Sequence, residues 1–243
     1  LTAGRSSESI SSTNTIIGNR IFLEQGAKVE AAILNSTEGP VYIGRNAEIM
    51  EGSLVRGGFA LCEGGVLKLG AKIYGPTTIG AFSKVGGEVT NCVVQDYSNK
   101  GHDGFIGNSL IGSWCNLGAD TNTSNLKNNY SNVRKWDYEA MDYTDSGLQF
   151  CGVIMGDHTK CGINTMFNTG TVVGVSANVF DAGFPPKFVP SFSWGGKDGI
   201  SEYKLDKMFE TAQRVMERRG VDLDEKEKAI LTAIFKQTAA NRK

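Results

Sequence analysis

Residues 100–125 read KGHDGFIGNSLIGSWCNLGADTNTSN and hold His102, one of two histidines in a chain of 243 residues. Glycines flank it in a Lys-Gly-His-Asp-Gly setting, and two apolar-glycine steps follow, Ile111-Gly112 and Leu117-Gly118, close to Asn116, Asn122 and Asn125. A free imidazole titrates near pH ~6.5, so it can take a proton from an incoming ammonium group at neutral pH. A tetrahedral oxyanion formed next would need donors, which backbone N–H groups at the Gly118-Ala119 turn can supply. Asparagine amides can bond sugar hydroxyls, and Lys84 and Lys100 can hold a phosphate as point charges. Together these residues suit a small acyl-transfer site. A plainer reading stays open: His102 as a turn histidine satisfied by backbone, and Asn116 and Asn125 as an asparagine ladder or turn.

Other chemistries find less support. A three-histidine zinc site fails on counting, since only His102 and His158 exist, so no metal is expected. His158 occupies a free repeat position and is expected at an exposed corner. No G-x-S-x-G elbow, P-loop or dinucleotide fingerprint occurs.

The elements that must position His102 follow from a six-residue period. Met155, Cys161, Phe167, Val173 and Val179 are each six apart, and four residues after each comes a small one: Thr159, Thr165, Thr171, Ala177 and Gly183. Ile43, Ile49, Val55, Leu61 and Leu67 repeat the phase, as do Ile17, Leu23 and Val29, and again Ile79 and Val85. Each unit is a short strand plus a turn, with the apolar residue inward and the small residue at a corner. Three units make a coil of about eighteen residues, and coils stack into a parallel β-helix. This repeat class winds left-handed, against the usual crossover rule. Residues 15–184 supply roughly nine coils. The fold class is therefore all-β, a left-handed parallel β-helix of hexapeptide repeats.

Three stretches break the phase. Residues 35–40 (NSTEGP) should be a surface turn. Residues 91–105 lose the phase around His102. Residues 123–149 lose it completely, and this polar excursion with Trp136, Tyr138 and Tyr143 is expected to lean over a substrate, to serve as a trimer-contact loop, or to be an ordinary excursion. After Gly183, FPPKFVPSFSWGG reads as an extended strap. From Ser201, an N-cap candidate, Leu205, Met208, Phe209, Ala212, Val215 and Met216 share a helical face. Gly220 ends that helix, and Asp222 can cap a second over 224–240. The division expected is 1–199 for the β-helix acyltransferase domain, with its excursion at about 123–149, and 200–243 for a C-terminal α-helical hairpin.

Net charge is −1, which gives no basis for a nucleic-acid or membrane-surface partner. Glycine reaches 31 residues, about twice the ~7% average, at fixed phase. Five cysteines form no C-x-x-C pair, so neither a disulfide framework nor a zinc cluster is suggested. Cys115 and Cys161 fall at repeat positions and read as packing thiols, which fits a reducing cytoplasm. No apolar run approaches the ~18 residues of a membrane span, and no signal peptide opens the chain. The polar start at Leu1 suggests the tail of a longer protein.

The run 100–121, KGHDGFIGNSLIGSWCNLGADT, resembles without gaps the active-site coils of the acetyltransferase half of the GlmU-type bifunctional enzymes, which pair a nucleotidyltransferase domain with a left-handed β-helix and make UDP-N-acetylglucosamine. The block NLGADTNTSNLKNNYSNV is similar to divergent sugar-phosphate nucleotidyltransferase/acetyltransferases found in bacteria. Likeness of repeats covers about 15–185, and the specific motif about 85–133. The resemblance implies that His102 is the catalytic base, that Asn116 and Asn125 line the amino-sugar site, and that the Gly118-Ala119 backbone meets acetyl-CoA. The implied reaction is N-acetyl transfer from acetyl-CoA to an amino-sugar phosphate, glucosamine-1-phosphate first, in a homotrimer whose site lies between neighbouring prisms. Any nucleotidyltransferase domain would precede Leu1. Departures fall on the acceptor side. Phe105 stands where the family has tyrosine, Tyr74 where it has a phosphate-gripping arginine, and the upstream Glu-x-Lys pair is unmatched. Glu88 and Lys100 are the nearest stand-ins for substrate binding, and Arg56 lies one coil from Tyr74 on the same face. These losses favour the alternative, a non-catalytic oligomerisation or regulatory module of a nucleotidyltransferase.

Overall fold

A six-residue strand-and-turn unit cannot bury an apolar face alone, and in this chain it does so by stacking. The structure, a computed structural model, describes Thr2 and residues 5–242; Leu1 lies outside the described residues. Short strands fall on three faces. Face A runs from Thr15–Ile17 to Phe105–Gly107 in six strands, face B from Ile21–Leu23 to Phe188–Val189 in nine, and face C from Lys28–Val29 to Ser193–Gly196, with Gly199–Glu202 added antiparallel at its far end. Stacked strands within each face are otherwise parallel. The result is a left-handed parallel β-helix of about ten turns.

The register shows why the period works. Leu23, Ile43, Leu61, Ile79, Val94, Ile111, Met155, Val173 and Val189 form one inward column on face B. None is more than 2% exposed. Burial of each such side chain contributes roughly 1.5–3 kcal/mol. The small slots are buried too: Ala47, Ala71, Thr159 and Thr171 are at 0%. Where the slot holds Ser or Thr, its hydroxyl satisfies a corner carbonyl, as from Thr159 Oγ1 to the Gly174 carbonyl at 2.7 Å and from Ser98 Oγ to that of Gly112 at 2.6 Å.

The structure differs from the sequence pattern at several points. Residues 91–105 keep the coil, with strands at Val93–Val94 and Asn99–Lys100. The apparent break arises because Lys100 occupies an inward slot, in register with Val85 and 1% exposed. Ile17 is exposed rather than inward, since it is in register with Asn35 and Arg56, while Ile16 pairs with the inward Leu34 and Val55 column. Residues 123–149 contain an antiparallel hairpin, Arg134–Asp137 with Asp142–Asp145. Trp136 stacks on Phe188 at 4.2 Å and the Lys187 ammonium donates to the Arg134 carbonyl, so the hairpin lies against a later coil and not over the His102 turn. The proline-rich stretch is no loose strap: Phe188–Val189 and Ser193–Gly196 extend faces B and C by one more coil.

Helix α1 (Leu205–Glu217) begins after Lys204, because Ser201 belongs to the strand Gly199–Glu202. Helix α2 (Glu225–Gln237) is capped by Asp224 and not Asp222, the Asp224 carboxylate accepting from the Glu227 N–H. The two helices cover one corner of the prism. There Phe82, Tyr97, Trp114 and His158 each sit at positive φ (58–60°) and stack in order, with centroid separations of 5.0, 4.2 and 6.3 Å. Left-handed backbone at a non-glycine residue costs about 1–2 kcal/mol, which the stacking and the apolar cover of Met208, Ala212 and Met216 offset. His158 is accordingly 4% exposed, not a solvated corner, and its Nε2 meets Glu227 Oε1 of α2 at 2.9 Å.

Candidate active site

His102 lies on the turn between faces C and A, where the corners of successive coils stack in a ridge. Glu88 N–H donates to the Gly104 carbonyl at 3.1 Å, Asp120 N–H to that of Asp103 at 3.0 Å, and Asn164 N–H to that of Ala119 at 2.8 Å. His102 and Asp103 are exposed, and Ala119 of the next coil is half-buried. The turn is held from inside. The Lys100 ammonium donates to the carbonyls of His102 and of Asp103, the latter at 2.8 Å. Burial pushes the Lys100 pKa down to about 8, against the opposing pull of Asp103, Cys161 and Asp120. Its head group is therefore part of the scaffold under His102, not the ligand contact expected of it.

The other expected site residues spread around this corner. Glu88 lies on the adjacent strand of face A, in register with Phe105. Its carboxylate accepts from the Tyr74 hydroxyl at 2.6 Å, and that bond pushes the Tyr74 pKa up to about 12. Arg56 is paired with Glu38 at 2.7 Å on the same face. These residues line a groove of about 850 Å³ with Lys72 and Thr90. Asn116 is exposed on face C and accepts from Asn99 Nδ2 at 3.3 Å. Asn125 follows the strand Asn122–Thr123, past the far end of face A from His102, and donates through Nδ2 to Asn108 Oδ1 at 2.7 Å. Asn116 and Asn125 thus stand on different sides of one prism.

Gly118 is not a free donor. Its N–H bonds the Cys161 carbonyl at 3.1 Å, and a Cβ there would lie 2.4 Å from the Gly162 carbonyl. Close coil-to-coil approach, rather than an oxyanion, explains the glycine. Asn122 closes the arrangement, its Oδ1 accepting the Phe105 N–H at 2.8 Å while its Nδ2 bonds the Asp120 carbonyl. Asn99 and Asn108 were not singled out by sequence reasoning. The signal available was the period, since each lies seventeen residues, one coil, before the asparagine it touches.

No protein-family model matches the chain. It is 32% identical over 87 residues to the bifunctional protein GlmU of Methanocaldococcus jannaschii, covering 36% of this chain and 21% of that protein. It is 28% identical over 166 residues to a bifunctional sugar-1-phosphate nucleotidylyltransferase/acetyltransferase of Sulfurisphaera tokodaii, covering 68% of this chain and 40% of that protein. The chain thus spans from a fifth to two fifths of the length of these relatives. Among solved structures, the polySia-specific acetyltransferase NeuO aligns with 86% of this chain and 99% of its own at 12% identity and a TM-score of 0.44. The hexapeptide coils of this chain are similar to those of the GlmU-type bifunctional nucleotidyltransferase/acetyltransferases.

Proposed function

We propose that the chain transfers an acetyl group from acetyl-CoA to the amino group of an amino-sugar phosphate, with glucosamine-1-phosphate the first acceptor to try. The observation that carries this reading is the His102 turn: an exposed imidazole on a corner fixed from below by a buried ammonium. The names of the relatives support it. In this reading the His102 imidazole takes a proton from the acceptor ammonium, and the freed amine attacks the thioester carbonyl. The carbon–sulfur bond then breaks, the departing thiolate takes the proton from His102, and the new amide nitrogen sheds its remaining extra proton to solvent. Asn116 and Asn125 bond the sugar and Glu88 orients the acceptor amine. The backbone at Gly118-Ala119 faces the thioester by shape, since the Gly118 N–H is already bonded. Because Asn116 and Asn125 lie on different sides of one prism, the reading takes a homotrimer in which a neighbouring copy completes each site, in the cytoplasm.

A second reading, a non-catalytic oligomerisation or regulatory module of a nucleotidyltransferase, is favoured by one observation: Glu88 is already occupied by Tyr74. Thermal shift separates the two. Binding of acetyl-CoA stabilises an acetyltransferase by RT ln(1 + [L]/Kd), about 2.7 kcal/mol at a hundredfold excess over Kd, beyond any shift that ADP at the same concentration gives a bare scaffold. Release of free thiol from acetyl-CoA, with and without glucosamine-1-phosphate, tests the chemistry itself.

A further inference from the structure

Helix α1 lies over the outer side of face C, and between them runs a cleft of about 510 Å³. Lys84, Asn99, Asn116 and Lys160 form its floor, and they are the outward residues of four successive face-C strands in register. Arg218 and Arg219, at the C-terminal end of α1, close it from above. Four cations thus converge on one cleft. Among the described residues none of the four has a carboxylate partner within ion-pair distance. Lys160 gives one bond to the His158 carbonyl at 2.8 Å.

Like charges held together are a cost unless something answers them. Lys84 shows it: partial burial first, then the fields of Arg219, Lys68 and Arg218, pull its pKa down, and Glu48 alone among the groups acting on it opposes them. The helix macrodipole accounts for arginines at the end of α1, at about 0.3–1 kcal/mol each, but not for lysines projecting from the sheet toward them. The asparagine amides between the lysines add neutral donors.

We propose that this cleft binds a diphosphate group. Charge selects the class. A single phosphate carries roughly −1.5 to −2 at pH 7, no more than half of what the four cations offer, and a diphosphate carries more. A nucleoside diphosphate also fits, since small-molecule sites run from about 300 to 1,000 Å³. The aromatic wall gives no purchase to a base: Tyr97 is stacked between Phe82 and Trp114, and Trp114 between Tyr97 and His158. Recognition therefore rests on the phosphates and is indifferent to the base. This inference concerns four cations within one chain, and Asn116 is the one residue the cleft shares with the acetyl-transfer site proposed above.

Isothermal titration of the full chain with inorganic phosphate, pyrophosphate, UDP and ADP at 50 and 200 mM salt tests it. Pyrophosphate, UDP and ADP are expected to bind at least tenfold tighter than phosphate, with affinity falling as salt rises. UDP and ADP should agree within threefold. Lys84→Gln with Arg219→Gln, and separately the exposed-strand variant Lys84→Glu, should each weaken binding at least tenfold with circular dichroism unchanged and Tm not lowered. Nucleotides binding tenfold tighter than pyrophosphate would assign the natural ligand to nucleotides, and equal affinities to the diphosphate group alone. No binding at millimolar ligand, affinity within twofold of wild type in both variants, or a tenfold preference between UDP and ADP would overturn the proposal.

Discussion

Replacing Lys100 by Met keeps the side chain's length and apolar volume while removing its buried ammonium. Two effects oppose each other at pH 7. The variant loses two charge-assisted bonds to the carbonyls of His102 and Asp103, about 1.5–3 kcal/mol each. It also escapes the cost of burying the charge. That cost follows from the drop in pKa from 10.5 to about 8, which corresponds to about 3 kcal/mol. The net effect at pH 7 is therefore a loss of about 0–3 kcal/mol, too broad to decide anything. The pH dependence decides. Below pH 8 the lysine is charged in both folded and unfolded chains, and the folded state carries the whole cost. Between pH 8 and 10.5 the folded chain sheds its proton first, so wild-type stability rises through that window by up to about 3 kcal/mol and is lost again as pH falls through 8. Cysteines and tyrosines titrate there as well, but they are common to both proteins and cancel in the difference. Denaturant unfolding of wild type and Lys100→Met at pH 7.5, 8.5, 9.5 and 10.5 should show wild type gaining about 2–3 kcal/mol on the variant. A difference that stays flat within about 0.5 kcal/mol, or falls, would refute the placement of a charged lysine inside the coil.

Two further outcomes follow from the packing. Gly118→Ala puts a Cβ 2.4 Å from the Gly162 carbonyl, so the coils must part there. A loss of about 1–3 kcal/mol is expected, read as a fall in Tm of roughly 2–4 °C per kcal/mol for a chain of this size. Glu227→Ala leaves the buried His158 Nε2 without its partner and loosens α2 from the corner. It should cost about 1–3 kcal/mol and raise amide exchange in 225–237, while exchange in the coil strands stays as in wild type.

Much of the solenoid was legible because its physics is local and repeated. Met155, Cys161, Phe167, Val173 and Val179 are inward and buried as their spacing requires, and Thr159, Thr165, Thr171 and Ala177 fill the corners. The pattern failed where a residue broke the chemistry of its slot but kept its place. Lys100 is inward although lysine reads as outward, so the coil around His102 looked interrupted. The spacing there also shortens to four, from Val85 to Val89, and to five, from Val89 to Val94, before Lys100 and Ile106 resume the sixes. His158 failed for another reason: its burial comes from helices that return from some seventy residues downstream, and only the column Phe82, Tyr97 and Trp114 hinted that this corner was apolar. Helix ends were misplaced because residues 199–202 go antiparallel against 193–196, a pairing that overrides the capping tendency of Ser201. At the site, His102 stands exposed on its corner. Gly118 proved to be a contact glycine, which no spacing distinguishes from an oxyanion donor.

The measurement that tests the central proposal most directly is release of thiol from acetyl-CoA by the full chain, with glucosamine-1-phosphate, with galactosamine-1-phosphate and without acceptor, in wild type and His102→Ala. Release that depends on an acceptor and falls by about a hundredfold or more in His102→Ala is the expected result, in line with the usual contribution of a general base. No release with either sugar, or a variant within a few-fold of wild type, would contradict it.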